Sequence, residues 1–328
     1  MMLGEPGANA PIGLAPMIVT STPEFLAAYR DGAGFPRVAP AVPRAALLVT
    51  PHGFRVSEES AADNRYMTPG TTVDLERAHE QHAALARCLS RLGVPVVTLP
   101  GRDGLDDAVY PNNIYATSRA SAGGRGRFIV GSMRHPVRQK EAAREDVRSL
   151  FTRGFGYELV DLSQRDCIAE LTGALIIDYS RRIGFCGQSG RVDDAGCAAM
   201  HEAFELRLTW CFDLVPGEYH TNIVLAVLAG RACVVHPPSF ADPEILAALR
   251  RAFSDRTLVL DDDEKAAFAG NCIAMTEHDV LFSATSMARL RPSSLAALES
   301  WGFRTHAVEV DEIEKGGGSL RCLIAEIF

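Results

Sequence analysis

The chain repeats one phrase: an apolar strand, a helix whose apolar residues fall at helical spacing, and a second apolar strand. The copies open at Ala46–Val49, Phe128–Val130, Ile183–Cys186, Cys233–His236 and Val280–Ser283. Their helices are expected near Val73–Leu92, Gln139–Phe151, Asp194–Leu206, Pro243–Phe253 and Pro292–Trp301. The closing strands are expected at Val94–Leu99, Glu158–Leu162, Thr209–Leu214, Thr257–Leu260 and Thr305–Val310. Between the later copies the period is roughly 50 residues, the sign of a radial or stacked α/β repeat. No Pro/Ser-rich or charged linker interrupts the body, so residues 44–328 are expected to form a single domain. Pro51-His52-Gly53-Phe54, after the first strand, is not the glycine fingerprint of a dinucleotide-binding unit.

Residues 1–43 are rich in Pro, Gly and Ala and read as an extended arm. One short helix is expected there, at Pro23–Tyr29, opened by Ser21 and Thr22. The leading MMLGEPGANAPIGLAPM lacks the basic region and apolar core of a secretory signal. No apolar run is long enough to span a bilayer. A net charge of −8 argues against nucleic acid or an anionic membrane as partner. The eight cysteines form no C-x-x-C pair, so neither a zinc site nor a disulfide framework is expected. Cys167, Cys186, Cys197, Cys211 and Cys233 fall within or beside elements and read as core. These features suit a soluble, reduced, cytoplasmic protein whose partner is a small molecule, with homo-oligomerisation left open.

A segment with a polar mouth and an apolar body precedes each opening strand. These are Val109–Tyr115 (VYPNNIY), Glu170–Ile177 (ELTGALII), Tyr219–Leu225 (YHTNIVL) and Gly270–Met275 (GNCIAM). The fifth such segment is Gly316–Phe328 (GGGSLRCLIAEIF). Each is expected to be a strand, the last from Leu320 to Phe328. In a ring of five modules, equivalent mouths converge near the axis. That would gather Asn112, Asn113, Glu170, His220, Asn222 and Cys322, although they are far apart in sequence. A cysteine, a histidine and an acid are the parts of a thiol nucleophile system. A protonated His220 could favour the Cys322 thiolate and then act as general acid. Cys272 also lies at a mouth and is the rival thiol, but no histidine shares its motif. His135, His201, His236, His278 and His306 show no ligand spacing and read as structural or surface. The run Asp261–Glu264 reads as a loop entering a helix N-terminus. No metal or cofactor is implied.

Taken together, LLVTPHGFRVSEESAADNRYM, YPNNIYATS, SMRHPVRQ, ELTGALIIDYSRRIGFCGQSGR, YHTNIVLAVLAGRACVVHP and GGGSLRCLIAEIF resemble the pentein superfamily of guanidine- and ureido-modifying enzymes. The likeness is greatest to the amidinotransferase-related citrulline-utilisation hydrolases, and it extends to arginine deiminases and dimethylarginine hydrolases. It covers residues 43–328 and implies a five-bladed, pseudo-fivefold α/β propeller. It further implies that Cys322 is the nucleophile, His220 the general acid/base and Glu170 the carboxylate that binds the substrate's nitrogens. Arg138 and Arg191 resemble the arginines that grip an α-carboxylate, for which a planar fork of donors is suited. Asn64 matches a position near the pocket. Asn113 and Asn222 stand where arginine deiminases carry aspartates, and an amide matches the NH2 and C=O of a neutral urea. Leu171 replaces a glycine usual after the glutamate, and Ile114 a tryptophan usual after Pro-Asn-Asn.

The expected activity is cysteine-dependent hydrolysis of a C–N bond in a ureido or guanidino amino acid. Citrulline, giving ornithine and carbamate, comes first. Arginine dihydrolase, arginine deiminase and amidinotransferase activities are the alternatives within the superfamily. A non-catalytic propeller used for binding is the alternative outside it.

Overall fold

The computed structural model describes residues 15–119 and 124–328. Residues 1–14, on which most of the reading against a secretory signal rests, lie outside them. The fold is mixed α/β, with five small sheets among the described residues. In each sheet a short strand pairs antiparallel with a middle strand, and a helical crossover leads to a parallel third strand. The second to fifth sheets have middle strands Arg127–Val130, Ile183–Gln188, Ala232–Val235 and Asp279–Ser283. The first sheet joins distant segments: Ala325–Ile327 lies antiparallel to Ala45–Val49, with Ala325 opposite Leu47. Middle strands are buried on both faces. Ala46 and Leu48 enter one apolar cluster, while Leu47 enters another with Phe128, Val130 and Ala325.

The crossover helices follow local chemistry. Leu75–Arg91 begins two residues later than its apolar pattern suggests, because Asp74 caps it by accepting from Arg77 N. Ala78, Leu85, Cys88 and Leu89 form its buried face. Gly93 follows it at φ +77°, an angle glycine adopts without cost. The second crossover, expected as one helix, is two short ones, Pro136–Ala142 and Glu145–Ser149, followed by a wide π turn over Leu150–Gly154. Arg144 breaks it with extended backbone and binds Asp146 through its side chain at 2.8 Å. Asp261 and Glu264 cap the helix Asp262–Ala266 reciprocally, as the acidic run suggested.

Two expectations need correction. Outside its expected helix the N-terminal arm is not merely extended, for Met17–Val19 adds a parallel fourth strand to the third sheet beside Leu208–Trp210. The helix expected at Pro23–Tyr29 is present as Thr22–Asp31 with the Ser21 cap, and it buries Phe25 completely, stacked on Trp210 at 4.4 Å between ring centres. Nor are the cysteines all separate: the sulfurs of Cys197 and Cys211 are in bonding contact. Cys186 and Cys211 are register partners on neighbouring strands, and the crossover helix carries Cys197 over them. Spacing in sequence does not reveal that encounter.

Candidate active site

The mouths are not strands. Pro111–Asn113, Thr221–Ile223 and Leu320–Leu323 are single 3-10 turns, and Leu171–Ala174 is a single α-turn. The strands start beyond them, the last at Ala325. A turn sets neighbouring side chains on adjacent faces, whereas a strand sends them to opposite sides. Side-chain hydrogen bonds link the mouths in chain order. Thr172 Oγ1 donates to Asn112 O (2.8 Å), Asn222 Nδ2 to Thr172 O (3.3 Å), and Asn271 Nδ2 to Asn222 O (2.8 Å). Arg321 N then donates to Asn271 Oδ1 (3.0 Å).

Cys322 sits on the last turn, 4% exposed, and lines a pocket with His220, Asn112, Asn113, Arg138 and Arg191. Its Sγ faces two amides, Asn271 Nδ2 at 3.4 Å and Asn222 Nδ2 at 3.6 Å. Burial pushes the thiol up, and these amides oppose the shift. Cys272 lines a different cavity, and burial pushes its thiol up to about 12. Asn271 was missed by sequence reasoning, yet it stands in the mouth GNC much as Asn222 stands in HTN.

His220 Nε2 lies 2.8 Å from Glu170 Oε2. Burial lowers the imidazole pKa, and the Glu170 carboxylate opposes that only partly. Both shifts act against a thiolate–imidazolium pair, the arrangement expected from sequence, in the unliganded site. Gly173 lies against the ring, where a Cβ would come within 2.7 Å of the imidazole. Glu170 is fully buried and also accepts from Asn113 Nδ2 at 3.0 Å and Arg191 Nη1 at 3.3 Å. Burial alone would raise its pKa. The Arg191 charge and the His220 hydrogen bond outweigh it and hold the carboxyl far below the usual range. Leu171 has φ +23°, a positive value that glycine adopts more readily than a residue with a side chain.

Both arginines line the pocket, and both already have protein partners. Arg138 Nε bonds Glu141 Oε2 at 2.6 Å, and its Nη2 bonds Asn113 Oδ1 at 3.0 Å. Arg191 binds Glu170 and Asp63. His135, expected to be structural or surface, lies 3.1 Å from that same Asp63. Asn64 Nδ2 donates to Gly317 O at 3.4 Å, so it fastens the segment before it to the glycine loop. Gly317, at φ +72°, leaves no room for a side chain beneath Asn64 and Met67.

Among the described residues, two lining groups keep unused polar atoms. Both amide atoms of Asn112 and Oδ1 of Asp107 are buried without a hydrogen-bond partner. Asp107 was not singled out from sequence, where it is one acid in a loop. No metal-binding group coincides with this pocket: the one cluster of potential ligands among the described residues is Cys186, Cys197 and Cys211.

Residues 50–328 match the family described as N,N dimethylarginine dimethylhydrolase, eukaryotic. The chain is 28% identical over 269 residues to the N(G),N(G)-dimethylarginine dimethylaminohydrolase of Mycobacterium tuberculosis, covering 81% of each. Among solved structures, the substrate-bound N-terminal domain of ArgZ, a cyanobacterial arginine dihydrolase, superposes with a TM-score of 0.72 at 17% identity. That match covers 86% of this chain and 97% of the ArgZ domain. The dimethylarginine hydrolase of Pseudomonas aeruginosa, complexed with citrulline, gives 0.65 at 18% identity, covering 87% of this chain and all of that one. These neighbours are guanidino-modifying enzymes of the pentein superfamily, and they share this chain's mixed α/β fold. The chain itself belongs to the N,N-dimethylarginine dimethylhydrolase family.

Proposed function

We propose that this protein hydrolyses a C–N bond in a guanidino or ureido α-amino acid, with Cys322 as nucleophile and His220 as proton carrier. In this reading the five sheets are the blades of a pentein propeller, and the linked mouths surround the reacting carbon. The observation that carries it is the junction at one pocket of the Cys322 thiol, the Glu170-bound imidazole of His220 and two buried arginines. The Cys322 thiol would pass its proton to His220 as the sulfur attacks the central carbon and the S–C bond forms. His220 would deliver a proton to the departing nitrogen as the C–N bond breaks. Water, losing a proton to His220, would then attack the same carbon and release the thiol. Glu170 would hold the reacting nitrogens. Arg138 and Arg191 would take the α-carboxylate, and Asp107 and Asn112 have free atoms for the remaining polar groups of the ligand.

The burial of the Cys322 thiol bears on the substrate. A thiol whose pKa is raised by burial becomes easier to ionise when a cation settles beside it, and a neutral urea offers no such help. Asp107, its carboxyl pushed up by burial, adds a second acid that a cation would help to ionise, one not foreseen from sequence. Both points favour a guanidinium as first substrate. The amides of Asn113 and Asn222 favour the second reading, citrulline, and suit a ureido intermediate retained for a further round. The test is product analysis with arginine, N-methylarginines, citrulline and agmatine. Turnover of at least one amino acid is expected in the native protein, and none in Cys322→Ser. Activity retained by the serine variant would remove Cys322 as nucleophile. A kcat/KM for citrulline above that for every guanidino substrate would establish the ureido reading.

A further inference from the structure

Residues 57–67 form one wall of the pocket, contributing Ser60, Asn64 and Met67. Between them, Asp63 gathers three basic side chains. Arg191 reaches it through Nε at 3.2 Å and also through Nη2. Arg134 Nη1 lies 3.3 Å away and His135 Nε2 3.1 Å away. Arg191 is thereby fully engaged. Its Nη1 is on Glu170, its Nη2 also reaches Ser60 O at 3.3 Å, and its Nε–Nη2 edge belongs to Asp63. That edge is one of the faces on which a guanidinium receives a carboxylate with two parallel hydrogen bonds. A second carboxylate cannot use it while Asp63 stays.

We propose that Asp63 is a specificity-determining residue, an internal carboxylate that occupies the Arg191 fork in the unliganded protein and is exchanged for the substrate's α-carboxylate. This rests on the reading above that Arg191 receives that group. The exchange replaces one anion by another, so Arg191 is never left unpaired, a costly state for a buried cation. Asp63 is part-exposed, and Arg134 and His135 remain beside it as alternative partners. Wall and pocket are thus coupled: an incoming carboxylate frees residues 57–67 from Arg191, and a ligand without one leaves them fastened.

The experiment uses full-length Cys322→Ser protein, so that ligands bind without turnover. Calorimetric Kd values are measured for L-arginine and for agmatine, which lacks the carboxylate. They are compared in that background, with Asp63→Asn added, and with Arg191→Ala added. Removing the competitor should tighten L-arginine by about three- to tenfold, the range for a part-exposed charged pair, and leave agmatine unchanged. Arg191→Ala should weaken L-arginine alone. If Asp63→Asn leaves L-arginine unchanged or weakens it while Arg191→Ala still discriminates, the exchange is wrong and the role of Arg191 stands. If Arg191→Ala treats both ligands alike, or neither ligand binds, that role fails and the exchange with it. A second readout needs no Asp63 variant. Hydrogen exchange over residues 57–67 should change on adding L-arginine and not agmatine, and equal responses to the two would overturn the proposal.

Discussion

At the residue scale the site is defined by what its thiol lacks as much as by what it has. Among the described residues no charged side chain is hydrogen-bonded to Cys322 Sγ. Its polar neighbours are two side-chain amides, which stabilise a thiolate weakly. The pH dependence follows from this. With the thiol raised and His220 lowered, the share of thiolate in the free protein grows as pH rises. The ascending limb of kcat/KM should therefore extend above the ordinary thiol value of about 8.5. Asn271→Ala removes one of the stabilising amides and should move that limb further up. A bell centred near neutrality would instead indicate a preformed thiolate–imidazolium pair. Sequence alone brought forward Cys322, His220, Glu170, Asn64, Asn112, Asn113, Asn222, Arg138 and Arg191, and each lies at this pocket or touches a residue that does. Asp63, Asp107 and Asn271 were not brought forward. A loop carboxylate or a single amide has no distinguishing pattern of its own, and only folding gives it partners.

At the scale of elements, the turns in front of the strands govern the site. Their apolar bodies were legible because alternation and continuous burial leave a pattern, whereas the 3-10 mouths are too short to leave one. The turn Leu171–Ala174 shows how tightly they are set. It carries Glu170 at its entrance, Leu171 at positive φ, and Gly173 against the His220 ring. A methyl group on Gly173 would displace the imidazole. Gly173→Ala should therefore lower kcat by on the order of a hundredfold, the effect of shifting a reacting group by about 1 Å. Its thermal midpoint should change little, because the neighbouring core is untouched. Normal kcat would show that the ring can yield without consequence. The second crossover shows the opposite limit of sequence reading, where one apolar pattern spans two helices and a π turn.

For the whole molecule, the five-part repeat was readable because each crossover repeats the same apolar order. The attachment of residues 17–31 was not, because their strand is only three residues long and its partner is remote in sequence. That attachment should contribute to stability and not to chemistry. Phe25→Ala would remove a fully buried ring stacked on Trp210 and should destabilise the fold by about 3–5 kcal/mol. Urea unfolding would measure the loss, and KM at low denaturant should stay as in the native protein. A raised KM with unaltered stability would place this helix in communication with the pocket. The hydrogen-bonded succession of mouths from Asn112 to Arg321 has a bearing on how the molecule is made. Synthesis runs from the N-terminus, so four of the five mouths leave the ribosome before the one that bears the thiol. The first sheet cannot gain its Ala325–Ile327 strand until then. The thiol-bearing turn and the strand that completes the first sheet are thus the last of these parts to be made.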